Sequence, residues 1–276
     1  MRWLTSRFDI DLSSPRVMGI VNVTPDSFSD GGQHASVAAA LRHCEQLIDA
    51  GAHILDIGGE STRPGSPAVP LAEELERVMP VLHGATQLGV PVSIDTCKAE
   101  VMQAALDAGA DIVNDIWALR RGNALEVVAG HPRCGVCLMH MHRDPQTMQL
   151  APMEGDVLPE VKAFLGERAQ ALTGRGVARE RIVLDPGIGF GKTVAQNFSL
   201  LTRQRELVAS GFGVLAGWSR KSSLGALTGR EVPSERVAAS VAAAVLAVER
   251  GARVVRVHDV RETVDALKVW QAVQGA

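Results

Sequence analysis

The chain has 276 residues, 46% of them hydrophobic and 21% charged, which is ordinary for a globular protein and sufficient for one large core. Its formal net charge is −3, so overall electrostatics does not favour a nucleic-acid partner, although local basic groups can still bind small anions. The N-terminus lacks an apolar signal segment, no stretch is long enough to cross a membrane, and four cysteines do not form a disulfide framework, so we expect a cytoplasmic protein.

Short β-branched apolar runs alternate along the chain with stretches at helical spacing. The predicted strands are 16–24, 53–59, 91–96, 111–116, 135–142, 181–186, 213–219 and 253–259. The predicted helices are 37–50, 72–88, 98–108, 123–130, 157–173, 196–209, 234–250 and 261–273. The apolar runs are nearly continuous, which is typical of parallel strands covered on both faces. Eight such units without a linker predict an α/β fold, a single (β/α)8 TIM barrel over residues 1–276, with 1–15 as an N-terminal extension that packs on the barrel as a strand pair at its bottom.

Nearly every predicted strand ends in a side chain that can carry charge or form hydrogen bonds. These residues are Asn22, Asp56, Asp95, Asn114, Asp115, His140, His142, Asp185, Ser219, Arg220, Lys221, Arg256, His258 and Asp259. Any one of them could simply cap a turn, but the whole set is difficult to explain in that way. Since active sites of such barrels lie where the strands end, the set predicts a polar site at the C-terminal mouth.

Three loops at this mouth have the composition of ligand-binding segments. Residues 24–32 are polar and glycine-rich with one aromatic side chain, as in lids that close over a site, although a plain connection would also fit. Residues 58–65 combine glycines, which let the backbone approach a ligand, with Thr and Arg, which can hold phosphate or carboxylate. Residues 219–223 place two adjacent cations between hydroxyls, which indicates an anion or carbonyl site, with a solvated basic turn as the alternative.

Two other patterns resemble known motifs but fit them poorly. Residues 187–193 resemble a phosphate-binding Walker A loop, yet only three residues separate Gly187 from the Gly-Lys-Thr, where four are required. We therefore predict a glycine-rich barrel loop. Cys134 and Cys137 form a CxxC at the start of a strand, whereas redox pairs open a helix, so we predict structural thiols.

Seven blocks of the sequence, in order, resemble the signatures of the dihydropteroate synthase family. They are MGIVNVTPDSFSDGG at 18–32, GAHILDIGGESTRPGS at 51–66, SIDTCKAEVMQAALDAGADIVNDI at 93–116, LMHMH at 138–142, LDPGIGFGKT at 184–193, SRKSSLG at 219–225 and RVHDV at 256–260. The resemblance implies a (β/α)8 barrel, usually homodimeric, that joins 6-hydroxymethyl-7,8-dihydropterin pyrophosphate to p-aminobenzoate with Mg²⁺. It also implies a step of folate synthesis that sulfonamides inhibit.

The resemblance assigns a pterin slot to four polar side chains. A carboxylate can accept both donors of the pterin edge, and Asp185 is the matching residue, while Asn114 offers the neighbouring edge a donor and an acceptor. Lys221 would reach the pterin carbonyl oxygen and N5, and Asp95 would lie near N8–H. The candidate apolar walls are Ile116, Met139 and Phe190.

The resemblance also implies a pyrophosphate pocket and a site for p-aminobenzoate. Asn22 would bind Mg²⁺, and the pyrophosphate donors would be Thr62, Arg63, Arg256 and His258. Negative charge for a methylene cation would come from Asp95 and from Asp30 of the lid. The ring of p-aminobenzoate would lie between Phe28 and Pro64, with its carboxylate at Ser222 and the helix start after Lys221. The candidate catalytic residues are Asp95, Lys221, Asp30, Arg256 and His258.

Three alternatives remain open from the sequence. A pterin-dependent methyltransferase uses the same barrel and parts of the pterin set with a corrinoid partner, but it lacks TPDSFSDGG together with SRKS. A non-catalytic pterin-binding scaffold would have no reason to keep the anion site. A metal hydrolase could use His140 and His142, provided that other strand ends such as His258 and Asp259 supplied further ligands.

Overall fold

A closed barrel of eight parallel strands organises the chain. The computed structural model describes residues 1–23, 32–61, 65–148 and 150–275. Within these residues the barrel strands are β3 (Arg16–Asn22), β4 (Ile54–Gly58), β5 (Val92–Asp95), β6 (Ile112–Asp115), β7 (Gly135–Met139), β8 (Ile182–Asp185), β9 (Gly213–Ala216) and β10 (Val254–Val257). They follow one another in chain order, and β10 pairs with β3 to close the ring. The predicted (β/α)8 barrel is therefore confirmed.

Helices connect consecutive strands and cover the outside of the barrel. They are α1 (Gly32–Asp49), α2 (Leu71–Ala85), α3 (Ala99–Asp107), α4 (Ala124–Gly130), α5 (Leu158–Thr173), α6 (Val194–Thr202), α7 (Gln204–Val208), α8 (Ser222–Thr228), α9 (Val237–Glu249) and α10 (Val260–Gln274). None of the helices in the described residues is long and apolar enough to cross a bilayer.

The first residues form a hairpin that closes the N-terminal end of the barrel. Strands β1 (Arg2–Leu4) and β2 (Asp9–Asp11) pair antiparallel. Trp3 is fully buried, and its indole N–H donates to the Arg181 carbonyl at 3.0 Å. Trp3, Ile10 and Leu12 share one apolar cluster with inward side chains of seven barrel strands: Met18, Ile54, Ile112, Cys137, Val183, Leu215 and Val254. The lower interior is thus filled with apolar groups, which leaves polar chemistry to the opposite end.

Several elements differ from the sequence prediction: α8 is not among the helices predicted from spacing, α1 begins at Gly32 rather than at residue 37, and β9 ends at Ala216 rather than at residue 219. β7 ends at Met139 rather than at residue 142, so His140 and His142 lie after the strand and not on one of its faces. The helix predicted at 196–209 is two helices, because the backbone leaves helical geometry at Arg203, where φ is −100° and ψ is 13°. The Arg203 side chain donates hydrogen bonds to Asp156 and Glu206 on the protein surface.

The strand register brings the polar residues of the mouth side by side. Gly58 of β4 is level with Asp95 of β5, and Asp95 is level with Asn114 of β6. On the other side of the ring, Met139 of β7 is level with Asp185 of β8. All these positions lie at the C-terminal ends of parallel strands, so they share one rim.

Candidate active site

Arg256 links three strands across the barrel mouth. Its Nε donates to Asp56 Oδ2 at 2.5 Å, and its Nη2 donates to Asp95 Oδ2 at 2.7 Å. Burial opposes a charge on Arg256, but the two carboxylates raise its pKa, so the guanidinium remains cationic. Burial raises the pKa of Asp95 to about 7 even though Arg256 opposes the shift. One buried cation is therefore held by two carboxylates from β4 and β5.

Asn114 is oriented by the same cluster. Its amide nitrogen donates to Asp56 Oδ2 at 3.1 Å, and the Asn114 side chain is buried. Because a carboxylate only accepts hydrogen bonds, Asp56 selects the NH2 end of the amide. The amide oxygen and the second N–H remain to meet a ligand, which is the donor and acceptor pair that the sequence predicts for the pterin edge.

Asp185 and Lys221 form the opposite side of the mouth. Asp185 Oδ1 accepts the Gly187 N–H at 2.7 Å, and burial raises the pKa of this carboxyl. Burial lowers the pKa of Lys221 to about 8, while Asp185 opposes that shift. The Lys221 ammonium lies 4.3 Å from the centre of the Phe190 ring, a cation–π distance. A carboxylate, an ammonium and an aromatic face are thus grouped together.

An apolar cluster separate from the main core lies at this mouth. It contains Met141 and Met148 together with the three predicted wall residues, Ile116, Met139 and Phe190. Trp117 packs against it, half-buried. Flat heterocycles bind in slots with apolar walls and few polar groups, and the two additional methionines provide adaptable surface for such a slot. Met141 follows Met139 by two residues in the LMHMH block, whereas Met148 lies in the following loop, where no local pattern marks it.

The glycine-rich loop after β8 is held by a buried lysine. Gly187, Gly189 and Gly191 all have positive φ, between +67° and +82°. Lys192 Nζ donates to the carbonyl oxygens of Gly187 at 2.9 Å and Phe190 at 3.1 Å. Burial lowers the pKa of Lys192 to about 7. The lysine is occupied by the backbone of its own loop, which is the arrangement of a barrel loop and not that of a phosphate-binding lysine.

Some of the residues predicted to bind anions at the mouth lie within the described part of the chain. His258 follows Arg256 by two residues, and its Nδ1 lies 2.9 Å from Ser219 Oγ. Burial, together with the charge of Arg256, lowers the pKa of His258 to about 3, so the ring is neutral. Asn22 is exposed at the end of β3, and Ser222 is exposed at the start of α8. Five predicted residues lie outside the described residues: Phe28, Asp30, Thr62, Arg63 and Pro64.

Asp56 has a role that sequence reasoning did not assign. The sequence indicates only a polar residue near a strand end, whereas in the structure Asp56 binds both Arg256 and Asn114 and is fully buried. The signal was an acidic side chain inside the apolar run ILDIG. A buried carboxylate must be paired, so such a position predicts an unseen cation across the barrel.

A second missed cluster supports the loop that follows β4. Lys98 Nζ pairs with Glu60 and, at 2.5 Å, with Glu74 of α2. Thr96 Oγ1 donates to Glu74 Oε1 at 2.6 Å, and Glu74 is fully buried. Glu60 belongs to the 58–65 loop, so this network fixes the base of that loop against α2 and β5. Helical spacing places Glu74 on the same buried face as Val78 and Leu82, which distinguishes it from the exposed Glu73 and Glu76, so the apolar stripe of the helix was the signal.

The histidine and cysteine patterns give no support to other chemistries. The His140 ring packs edge-on against Phe164 at 5.1 Å, and burial lowers its pKa to about 2. In the part of the chain that the structure describes, no three His, Cys, Asp or Glu side chains are grouped so that they could hold a metal. Cys134 and Cys137 are free and buried, and burial raises the pKa of Cys137 well above its usual range. Both are therefore poor nucleophiles.

A glycine substitution tests whether the 187–193 loop positions the site. At Gly187 a Cβ would lie 1.8 Å from the His140 carbonyl oxygen, whereas at Gly176, which also has positive φ, nothing lies within 4 Å. Both alanine variants carry the same left-handed strain, about 1–2 kcal/mol. Gly187→Ala should cost a further ~1–3 kcal/mol through overpacking, and it should weaken pterin binding because Asp185 and Phe190 move. Urea unfolding and pterin titration of the two variants measure this, and equal losses in both would show that the loop is not tightly seated.

Comparison with known proteins agrees with this geometry. A family model described as "Pterin binding enzyme" matches residues 18–258. The dihydropteroate synthase of Neisseria meningitidis serogroup B is 50% identical over 276 residues, which cover 98% of this chain and 97% of the relative. A dihydropteroate synthase structure from Xanthomonas albilineans with 4-aminobenzoic acid is 54% identical with a TM-score of 0.92, covering 97% of this chain and 96% of that one. A Burkholderia cenocepacia structure, complexed with 7,8-dihydropteroate, is 52% identical with a TM-score of 0.91, covering 99% and 96%. The chain belongs to the dihydropteroate synthase family of pterin-binding enzymes.

Proposed function

We propose that this chain is a transferase that joins 6-hydroxymethyl-7,8-dihydropterin pyrophosphate to p-aminobenzoate, giving 7,8-dihydropteroate and pyrophosphate in folate synthesis. The observation that carries the proposal is the single rim that holds Asn114, Asp185 and Lys221 beside the Arg256 cluster. A pterin slot next to an arginine and a histidine that can donate hydrogen bonds suits a substrate that is a pterin at one end and a diphosphate at the other. Among the described residues, no contact at the mouth favours the methyltransferase alternative.

The pterin would be bound by groups that are already oriented in the free protein. Asp185 Oδ1 is engaged by the Gly187 N–H, so the second oxygen and the remaining lone pairs face the ligand. Asn114 presents its amide oxygen because Asp56 binds the nitrogen. Lys221, stacked on Phe190, would donate to the pterin carbonyl oxygen and N5. Preorganised hydrogen-bonding groups of this kind lower the entropic cost of binding.

The reaction would break the C–O bond at the pterin methylene and form a C–N bond. Both electrons of the C–O bond leave with pyrophosphate, the aniline nitrogen donates its lone pair to the methylene carbon, and that nitrogen then loses a proton. Ring electrons stabilise the methylene as it becomes positive, and Asp95 adds a nearby carboxylate. Arg256 and His258 would donate to the departing pyrophosphate, where one preorganised donor is worth roughly 2.7–4 kcal/mol. No protein nucleophile is required.

The second substrate would lie at the outer part of the mouth. We propose that Ser222, exposed at the start of α8, and the backbone N–H groups of that helix start, after Lys221, receive the carboxylate of p-aminobenzoate. As the family motifs imply, Phe28 and Pro64 are proposed to lie against its ring. Thr62 and Arg63 are proposed to bind pyrophosphate, and Asp30 to supply negative charge near the methylene cation. Sulfonamides, which share the aniline ring and carry a polar group opposite to it, would compete at this position.

We propose that Mg²⁺ assists the leaving group, with Asn22 as its protein ligand. Asn22 is exposed at the rim beside Gly58 of β4 and offers one amide oxygen. A single oxygen fits Mg²⁺, which keeps several waters and takes other ligands from substrate phosphates. When bound, the ion would neutralise developing charge on the pyrophosphate.

We propose a homodimer that pairs through α9. The outward side of this helix is apolar along its length and is formed by Ala238, Val241, Ala242, Val245 and Leu246. The spacing is that of one helix face, yet a solvated face would be polar. Small side chains allow two helices to approach closely.

We also propose a cytoplasmic location, because the four cysteines are free, as in a reducing compartment.

Ala242→Glu should yield a monomer, because the charge would be buried between two copies of α9. Sedimentation velocity measures the mass of this variant against Ala163→Glu, which adds the same charge on the exposed face of α5. A wild-type monomer, or a dimer that survives Ala242→Glu, would remove α9 from the interface.

The function itself is tested by measuring pyrophosphate release with the pterin substrate alone, p-aminobenzoate alone and both, with and without Mg²⁺. We expect release that requires both substrates and Mg²⁺ and matches the dihydropteroate formed. Pyrophosphate release that does not depend on p-aminobenzoate, or formation of dihydropteroate without pyrophosphate, would contradict the proposal.

Asp185→Asn should reduce pterin affinity about 10²-fold, the upper end of the range for a lost hydrogen bond to a charged group, because a donor also replaces the acceptor. The Gly187 N–H selects the oxygen of the new amide, so an NH2 group would face the pterin donors. Isothermal titration with the pterin measures the change, and Asp107→Asn, at an exposed position of α3, is the matched control. Unchanged pterin affinity in Asp185→Asn would refute the role.

A further inference from the structure

The Ser219 hydroxyl makes two contacts to a single residue. Ser219 lies in the loop after β9 and is buried. Its Oγ accepts the backbone N–H of His258 at 3.1 Å and lies 2.9 Å from Nδ1 of the same histidine. Among the described residues Ser219 Oγ has no other hydrogen-bond partner. Both hydrogen-bonding contacts of this hydroxyl are therefore to His258.

Counting hydrogens at this contact distinguishes the two neutral forms of the imidazole. A serine hydroxyl has one hydrogen and two lone pairs. The His258 backbone N–H takes one lone pair, so the hydroxyl hydrogen needs an acceptor, and Nδ1 is the atom within reach. If Nδ1 carried the proton instead, the Ser219 hydrogen would be left unpaired in a buried position, which is costly. The contact thus selects the form with the proton on Nε2.

The surroundings keep His258 neutral, so the position of its single proton matters. Arg256, Arg220 and Lys221 disfavour an imidazolium, while Asp259 favours it but is paired with Arg220 at 2.5 Å. Nε2 is at the far side of the ring from Ser219 and is the nitrogen that remains for a ligand. His258 is half-buried, two residues beyond Arg256 on the same strand end.

We propose that Ser219 is a positioning residue that holds His258 as the Nε2–H tautomer, so that a neutral imidazole donates a hydrogen bond to a phosphate oxygen at the Arg256 side of the mouth. The other tautomer would turn a lone pair towards that oxygen and repel it. A neutral imidazole also binds pyrophosphate less tightly than an imidazolium would, because hydrogen bonds from charged donors are stronger. This inference rests on the proposed function, in which His258 contacts the leaving group.

The first test reads the tautomer directly in the free protein. In the full chain labelled with ¹⁵N-histidine, two-bond ¹H–¹⁵N spectra distinguish a protonated ring nitrogen from an unprotonated one, and His258→Gln identifies the signals. We expect Nε2 protonated and Nδ1 unprotonated at neutral pH. Ser219→Ala should lose this pattern, and Ser219→Thr, which keeps the hydroxyl, should restore it. A wild-type Nδ1–H or imidazolium spectrum would overturn the proposal without any variant.

The second test links the tautomer to the anion. Ser219→Ala should weaken pyrophosphate product inhibition about tenfold, the scale of one hydrogen bond to a charged group, with pterin affinity unchanged. In the His258→Gln background the same substitution should have no further effect on pyrophosphate. An equal tenfold loss in both backgrounds would overturn the proposal, since Ser219 would then act by another route. Unchanged inhibition in Ser219→Ala would overturn the positioning role of Ser219, while pyrophosphate release with both substrates would still report the reaction independently.

Discussion

The mouth of this barrel depends on one buried cation shared by two carboxylates. Arg256 spans from β10 to Asp56 and Asp95, and Asp56 in turn orients Asn114. Burying three charges is costly unless each is paired, so the strands that carry them are held in one arrangement. The same arrangement leaves Arg256 with capacity for an anion and Asn114 with free hydrogen-bonding groups. The interaction that orders the site therefore also sets its ligand preference.

The two ends of the barrel have separate tasks. The lower end is filled by apolar side chains and by the N-terminal hairpin around Trp3, which provides a rigid base. The upper end carries the buried polar groups, whose desolvation is offset by that packing. The loops at the upper end are held in place by their own contacts. In the glycine-rich loop, the Lys192 ammonium donates to the carbonyl oxygens of Gly187 and Phe190. Such a division lets the substrate-binding side chains vary in chemistry without loss of the fold.

The sequence predicted the strands well because each is a short apolar run that ends in a polar residue, and a parallel barrel forces those ends onto one rim. It could not predict the pairing of Asp56 with Arg256, since the two are 200 positions apart and no periodic pattern relates them. Helical spacing places Glu74 on the buried face of α2, but its pairing with Thr96 and Lys98 could not be predicted, because those residues follow a different strand. Local patterns specify elements, whereas contacts across the barrel interior depend on closure of the sheet.

The most direct measurement is a double-mutant cycle in urea unfolding with Arg256→Gln and Asp56→Asn. Removal of the arginine alone should cost about 3–5 kcal/mol, because two buried carboxylates lose their partner. Adding Asp56→Asn to that variant should then cost little or restore stability, whereas Asp56→Asn alone should be destabilising. Equal costs of Asp56→Asn in both backgrounds would show that the cation and the carboxylate are not coupled, and that Arg256 does not order the mouth.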